Sequence, residues 1–252
     1  MKSLLSIGLL AAASIGTSAS AGFEPGDSIT VSRIGTAPGR AIRFSYDTTR
    51  TWDAVSNGAD YFGLAGVNTF AVQGGGEIYC FCVEMNEGFV DDPIVYDVVD
   101  IDAVPEHNPP GNMTFAKQTL MQDLFARHYD SIGTIGDYEG SWSDASDRAA
   151  AFQLVVWEIS HENFSSDTDA MTANSEMSII LGAMAFTDYY STNVLAIADE
   201  MINSLGDGGY MAYSKLLGLS NADNQDMLIV VPSPAIAGLA GLGLAGMRRR
   251  RR

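Results

Sequence analysis

The sequence predicts an α+β fold in which a β-rich lobe, either a sandwich or a barrel, carries a helical insertion. Short β-branched and aromatic runs between Gly, Pro and Asn turns dominate residues 22–110. Residues 111–220 instead contain apolar residues at spacings of three and four, which is typical of helices. A largely apolar run at 226–231 then predicts a strand that closes the lobe, so a single domain is expected over 22–230.

Four segments of the first half have the character of strands. Each one alternates apolar and polar residues, or is rich in β-branched and aromatic side chains, and each is bounded by turn residues. These segments are 28–34, 41–46, 77–84 and 95–104. They are expected to build the β-rich lobe.

Two segments of the insertion have clear helical periodicity. The apolar positions of the first are Leu120, Met121, Leu124 and Phe125, followed by His128, and those of the second are Leu195, Ala198, Met201, Ile202 and Leu205. A third helix is expected after "SWSDASD" at 141–147, because Ser143, Asp144 and Ser146 are suitable N-caps and acidic residues favour the positive end of a helix dipole.

Gln153 is the unusual residue of this third helix, whose predicted core face is Ala149, Phe152, Val156 and Ile159. Its amide points at or near the packed side, because it is three or four residues from Ala149, Val156 and Trp157. Burying an amide without a partner costs about 1–3 kcal/mol. Gln153 therefore needs a partner, which is either the backbone of a strand or a group with a chemical function.

Cys80 and Cys82, in "IYCFCVEMNE" at 78–87, are the cysteines of the chain. Residues two apart in a strand point to the same face, and their side chains do not readily close into a disulfide. Either cysteine is thus available as a partner for Gln153.

Two sequence blocks, "FCVE" at 81–84 and "AFQLVVWEI" at 151–159, resemble the signature blocks of bacterial surface thioester domains. The resemblance implies an internal thioester between Gln153 and Cys82, or alternatively Cys80, with Phe152 and Trp157 as the supporting apolar residues. It also implies a single-use crosslink to an amine or hydroxyl group on a surface or polysaccharide, without enzymatic turnover, catalytic residues or a cofactor. The alternative is a non-reactive structural or carbohydrate-binding protein that keeps these residues as packing.

Other chemistries of the cysteines are weaker. Cys82 with His128 or His161 would form a thiol hydrolase pair, but no histidine lies in a sequence typical of such an enzyme. Cys80 and Cys82 lack the second pair of ligands that a closed zinc site needs, so no metal is expected.

The N-terminal segment has the order of a secretory signal. Met1-Lys2 precede an apolar run, and small residues follow up to Ala21. This order predicts a signal peptide over 1–21 that is cleaved after Ala21, and therefore an exported protein.

The C-terminal segment 231–252 resembles a PEP-CTERM sorting signal. Pro232, Ser233 and Pro234, with serine where the family commonly has glutamate, precede the small and apolar run 235–247 and five arginines. The resemblance implies an exosortase-type sorting enzyme as a partner and transfer to the cell surface or extracellular matrix. An apolar run of this length is short for a permanent transmembrane helix, so a transient anchor in the inner membrane is expected, with the arginines on the cytoplasmic side.

The chain is strongly acidic, with 31 acidic and 14 basic residues and a formal net charge of −17. Loss of both ends would remove Lys2 and the five terminal arginines, which leaves 8 basic residues against 31 acidic ones and a net charge of −23. Such a chain repels polyanions, so nucleic acid is not an expected partner. The resemblance to thioester domains, together with the predicted signal peptide, implies adhesion or matrix crosslinking outside the cell.

Overall fold

The computed structural model describes residues 22–46, 59–85, 87–89, 93–106, 111–132, 142–162, 164, 169–187, 193–207 and 216–231. Within them the fold is α+β, with seven strands and four α-helices. The strands are β1 Ser28–Tyr46, β2 Ala59–Val72, β3 Glu77–Cys82, β4 Ile94–Val99, β5 Met184–Thr187, β6 Leu216–Ser220 and β7 Met227–Val230. The helices are α1 Phe115–Ile132, α2 Trp142–His161, α3 Ala170–Glu176 and α4 Asn193–Asn203, and a 3-10 turn spans Ile101–Ala103.

The strands form one antiparallel sheet that closes on itself. Its order is β2-β3-β7-β6-β4-β1-β5, and β1 pairs in addition with β2. The start of β1 pairs with β4 and the rest of it pairs with β2, so six strands complete a ring and β5 extends the far end of β1. A sandwich and a barrel were both predicted, and the described strands form the barrel-like arrangement because β1 pairs with β2 and closes the sheet. The closed ring leaves no long unpaired strand edge within it.

β1 is one continuous strand of 19 residues where the sequence pattern predicts two, 28–34 and 41–46. Two register shifts against β2, between Arg33 and Gly35 and between Thr36 and Gly39, bend the strand without ending it. The bend brings the backbones unusually close, since a Cβ on Gly39 would lie 2.6 Å from the carbonyl oxygen of Ala65. Glycine allows the strand to run through this point.

The core has two parts. One cluster is built from all six ring strands and fills the inside of the barrel; it contains Ile29, Val31, Phe70, Cys80, Ile94, Tyr96, Val98, Leu219, Met227, Ile229 and Val231. The larger cluster joins the helices to β1, β2 and the end of β3, and it includes Phe81, Cys82, Phe125 and Phe152. Every residue of α2 from Ala149 to His161 is buried, so this helix is the centre of the second cluster.

The helical insertion is less uniform than its periodicity indicates. α1, α2 and α4 lie where helices are predicted, but β5 and β6 also fall within 111–220 and complete the sheet. The sequence pattern did not predict β2. The predicted strand 95–104 extends past the end of β4 at Val99 and includes the 3-10 turn. α2 begins at Trp142, so the predicted caps Ser143, Asp144 and Ser146 lie within its first turns, where Asp144 still favours the positive end of the helix.

The predicted signal peptide 1–21 lies outside the described residues, and so does the predicted sorting segment 231–252 except for its first residue, Val231. Among the residues that are described, no helix is both long enough and apolar enough to cross a bilayer.

Candidate functional site: a buried contact between Cys82 and Gln153

The last residue of β3 and the middle of α2 meet in the core. The backbone N–H of Cys82 donates a hydrogen bond to Oε1 of Gln153 at 3.0 Å, and Nε2 of Gln153 donates to the carbonyl oxygen of Cys82 at 2.8 Å. Gln153 is 1% exposed and Cys82 is 4% exposed. The buried amide of α2 therefore has both a donor and an acceptor partner on the same residue of β3.

This double hydrogen bond directs the carboxamide of Gln153 at Cys82 and not at a neighbour. The two backbone groups that hold the amide flank the Cα of Cys82, which also carries the thiol. The carboxamide carbon is bonded to both Oε1 and Nε2, so the two hydrogen bonds hold it close to the residue whose sulfur would attack it. Prior placement of the two residues side by side is part of what an intramolecular acyl transfer requires.

The sulfur of Cys82 has a polar partner of its own. Nδ2 of Asn68, on β2, donates to Sγ at 3.1 Å in a buried contact. The register places Asn68 opposite Cys80, so Cys82 is its diagonal neighbour on the same face of the sheet. The sulfur is thus held from β2 while the backbone of the same residue is held from α2.

The electrostatic surroundings keep the thiol of Cys82 protonated. Burial raises the pKa of this thiol well above its ordinary value, the positive charge of Arg33 lowers it, the carboxylate of Glu84 raises it, and the hydrogen bond from Asn68 lowers it. A protonated, desolvated thiol is a poor general nucleophile toward solvent reagents. It therefore reacts more readily with a group held against it than with a reagent in solution, and it reacts with the latter mainly at alkaline pH.

Cys80 lies in a different environment from Cys82. It is fully buried inside the barrel, and its Sγ donates to the backbone carbonyl of Asn68 at 3.4 Å. Burial and the neighbouring Cys82 raise the pKa of the Cys80 thiol. Both cysteines are free thiols, and the described hydrogen bonds of Gln153 go to Cys82 alone.

Phe152 and Trp157, the predicted supporting residues, are both buried but contact different parts of the core. The ring of Phe152 packs against Phe81 at 4.6 Å and Phe125 at 4.9 Å between centroids, directly beside the cysteine strand. Trp157 stacks on Phe186 of β5 at 6.3 Å. Phe152 therefore shapes the immediate surroundings of the site, while Trp157 anchors α2 to the far end of the sheet.

The two histidines that were considered as partners of Cys82 make other contacts. His128 bonds the hydroxyl of Ser204 through Nε2, and His161 contacts Ser160 and the carbonyl of Trp157 through Nδ1. Within the described ranges, no group of three or more His, Cys, Asp or Glu side chains is arranged to hold a metal ion. The described contacts support no thiol hydrolase pair.

Asn68 is a site residue that the sequence pattern missed, because β2 itself was not predicted. The sequence does contain an indication of this residue, since Asn68 is the one carboxamide in the run "FGLAGVNTFAV" at 62–72, which is apolar except for Asn68 and Thr69. A buried carboxamide in a strand needs hydrogen-bond partners for the same reason as Gln153 does in its helix. The sorting residues Pro232, Ser233 and Pro234 lie outside the described residues.

The fold and the site define an α+β protein with a buried cysteine and glutamine in direct contact between a barrel strand and a helix. No protein-family model and no curated protein matches the chain. Among solved structures it is similar to the N-terminal thioester domain of fibronectin-binding protein SfbI from Streptococcus pyogenes. The two are 13% identical, the match covers 75% of this chain and 94% of that domain, and the TM-score is 0.37. Because this overlap is loose, the chemistry of the site rests on its own geometry.

Proposed function

We propose that the protein is exported and carries an internal thioester between Cys82 and Gln153, with which it attaches covalently to amine or hydroxyl groups on a surface or polysaccharide. The observation that carries this proposal is the pair of hydrogen bonds between the Gln153 amide and the backbone of Cys82. They hold a buried carboxamide beside a buried thiol, which are the two groups that the bond joins.

Formation of the bond is a balanced acyl transfer. Sγ of Cys82 attacks the carboxamide carbon of Gln153, the S–C bond forms and the C–Nε2 bond breaks. The nitrogen leaves as ammonia and takes the thiol proton with it. Because the hydrogen bonds already hold Gln153 against the backbone of Cys82, the entropic cost of bringing the sulfur to the carboxamide carbon is small compared with that of two free molecules.

Opening of the bond is equally simple. A primary amine attacks the thioester carbonyl, a C–N bond forms, the S–C bond breaks and the sulfur takes the amine proton. Gln153 is then joined to the target through an amide, and Cys82 is again a thiol. The reaction consumes the thioester, so the protein is a crosslinker and not an enzyme, and neither step requires a cofactor.

The decisive experiment is the intact mass of the purified domain, residues 22–231. We expect it to be lighter than the mass calculated from the sequence by one ammonia, and Gln153→Ala to have its full calculated mass. Methylamine should add to the wild-type domain and not to the variant. A wild-type domain of full calculated mass with two free thiols would overturn the proposal.

The alternative function is that of a non-reactive structural or carbohydrate-binding matrix protein. It is favoured by the fact that both polar atoms of the Gln153 amide have backbone partners, which already satisfies the group. In that case Gln153 serves only to fasten α2 to the end of β3. The mass measurement separates the two functions, because only the crosslinker loses ammonia.

The proposed location follows from the ends of the chain. The segment 1–21 directs export, the segment 235–247 anchors the chain transiently in the inner membrane, and an exosortase-type enzyme releases it at Pro232, Ser233 and Pro234. The domain then reaches the cell surface or the extracellular matrix. Its negative charge makes nucleic acid an unfavourable partner there.

A further inference from the structure

Three polar residues connect the sulfur of Cys82 to the surface of the barrel. Nη2 of Arg33 donates to Oγ1 of Thr36 at 2.9 Å, and this hydroxyl donates to Oδ1 of Asn68 at 2.6 Å. Nδ2 of the same Asn68 then donates to Sγ of Cys82 at 3.1 Å. Thr36 and Asn68 are directly opposite each other on β1 and β2, so the sheet register holds this chain of hydrogen bonds in place.

Each donor in the chain points toward the sulfur. It begins at a permanent positive charge on the exposed Arg33 and ends at a buried thiol. Hydrogen bonds that share one direction polarise one another, and they favour negative charge at the accepting end. Arg33 is also held in place by the ring of Phe89, whose centroid is 5.0 Å from the guanidinium carbon.

We propose that Asn68 stabilises the sulfur of Cys82 as a thiolate during the thioester chemistry, and that Thr36 and Arg33 are positioning residues that orient and polarise Asn68. This inference rests on the proposed function. In thioester formation the sulfur attacks as it gives up its proton, and in opening the sulfur leaves with the electron pair of the S–C bond. Asn68 donates a hydrogen bond to the sulfur in both steps, so it accelerates both.

The direction of the chain also distinguishes the cysteines. Cys80 donates its thiol hydrogen to the backbone carbonyl of Asn68, which favours the neutral thiol. Cys82 instead receives a hydrogen bond from the side chain of the same residue, which favours the thiolate. Asn68 thereby makes the two neighbouring thiols chemically different.

The test compares rates of methylamine opening in the wild-type domain and in Asn68→Leu, which has a similar volume but no donor. We expect opening to slow on the order of 10- to 100-fold, the effect of removing a hydrogen bond to a charged group. The fraction of the variant that has lost ammonia after a fixed time should also fall. Equal formation and equal opening rates would overturn the role of Asn68 while leaving the thioester itself intact.

A second pair of variants tests the polarisation without touching Asn68. Thr36→Val should slow opening less than Asn68→Leu does, and Thr36→Ser, which keeps the hydroxyl, should recover most of the lost rate. If Asn68→Leu fails to fold, this pair still decides the question. Valine and serine variants with the same rate would contradict the proposal, because then the hydroxyl has no effect on the sulfur.

The matched control is Thr69→Val. Thr69 is buried next to Asn68 on β2, and its hydroxyl has no hydrogen-bond partner in the part of the chain that the structure describes. This variant alters a buried polar side chain on the same strand, but methylamine should open its thioester at the wild-type rate. A slowing equal to that of Asn68→Leu would show that any disturbance of β2 has this effect, and would overturn the specific role of Asn68.

A separate experiment tests the effect of Asn68 on the thiolate of Cys82 in a variant that cannot form the thioester. In Gln153→Ala, which cannot form the bond, the rate at which iodoacetamide alkylates Cys82 at alkaline pH reports the thiolate fraction, with peptide mapping to separate Cys82 from Cys80. Addition of Asn68→Leu should lower this rate. If the wild-type domain shows no ammonia loss, the proposed function fails, and an unchanged alkylation rate would then overturn the stabilising role of Asn68 as well.

Discussion

Gln153 and Cys82 are 71 residues apart in the chain and are joined by two hydrogen bonds between one side-chain amide and one backbone residue. The contact ties the centre of α2 to the last residue of β3, at the junction of the two parts of the core.

The first prediction assigns the reactive cysteine. Cys82→Ala should abolish the loss of ammonia from the domain, and Cys80→Ala should leave it complete, because the amide of Gln153 is held against Cys82 while the thiol of Cys80 points to the backbone of Asn68. Intact mass spectrometry of the two variants reads the outcome. The opposite result would move the crosslink to Cys80 and show that the strand shifts when the bond forms.

The second prediction concerns the packing beside the site. Phe152→Ala should lower the free energy of unfolding by about 3–5 kcal/mol, because the ring is fully buried between Phe81 and Phe125 and its removal leaves a cavity. Urea denaturation measures the change. Phe115→Ala removes the same side chain from a position on α1 that is 78% exposed, and it should change stability little. Similar losses in both variants would contradict the packing described here.

The third prediction concerns the pH dependence of stability. Burial, followed by the neighbouring Glu162, raises the pKa of Glu158 well above its ordinary value. A carboxyl that keeps its proton longer in the folded chain stabilises the fold below the pKa of the unfolded chain, and this stabilisation is lost as pH rises toward the folded value. The free energy of unfolding should therefore fall as pH rises above about 4.5.

Glu158→Gln tests this dependence, since the amide oxygen can still accept the hydrogen bond that the backbone N–H of Ser178 donates to Glu158 at 3.0 Å. The variant should be more stable than wild type near pH 8, and the difference should shrink toward pH 4. Urea denaturation at several pH values gives the comparison. The control Glu176→Gln changes an exposed carboxylate on α3 and should show no such trend. If the free energies of unfolding of Glu158→Gln and wild type differ by the same amount at all pH values, the Glu158 carboxyl does not keep its proton longer in the folded chain than in the unfolded chain.

The fourth prediction concerns the destination of the chain. One epitope tag is placed after Gly22, just beyond the predicted signal peptide and before β1, which begins at Ser28. A second tag follows Arg252. In cells with an intact sorting enzyme, the first tag should leave the membrane fraction and the second should remain there on a small fragment. Both tags on one full-length membrane species would indicate a permanent anchor.

A considerable part of the site was predictable from the sequence because it depends on local residue types. Gln153 in an apolar helical run predicts a buried amide that needs a partner, and the spacing of Cys80 and Cys82 predicts two thiols on one face of a strand. α1, α2 and α4 are likewise local, since their apolar residues recur with the period of a helix. The closing strand β7 follows from its apolar run.

The tertiary structure decided what depends on contacts between distant segments. Strand β2 and its Asn68 were missed, as were β5 and β6, because their strand character comes from pairing with β1, β3 and other distant strands. The two predicted strands 28–34 and 41–46 merge into β1 because two register shifts against β2 absorb the interruption. Periodicity within a segment carries no information about such partners.

The choice between the cysteines shows the same division. The sequence by itself determined that a thiol strand and an amide-bearing helix exist, because alternation and helical period are properties of neighbouring residues. Only the tertiary structure decided that Gln153 meets the backbone of Cys82 and that Asn68 donates to its sulfur, since these contacts depend on where β3 ends against α2 and on the register of β2. Register and helix docking are set by the packing of the whole core, which no single segment encodes.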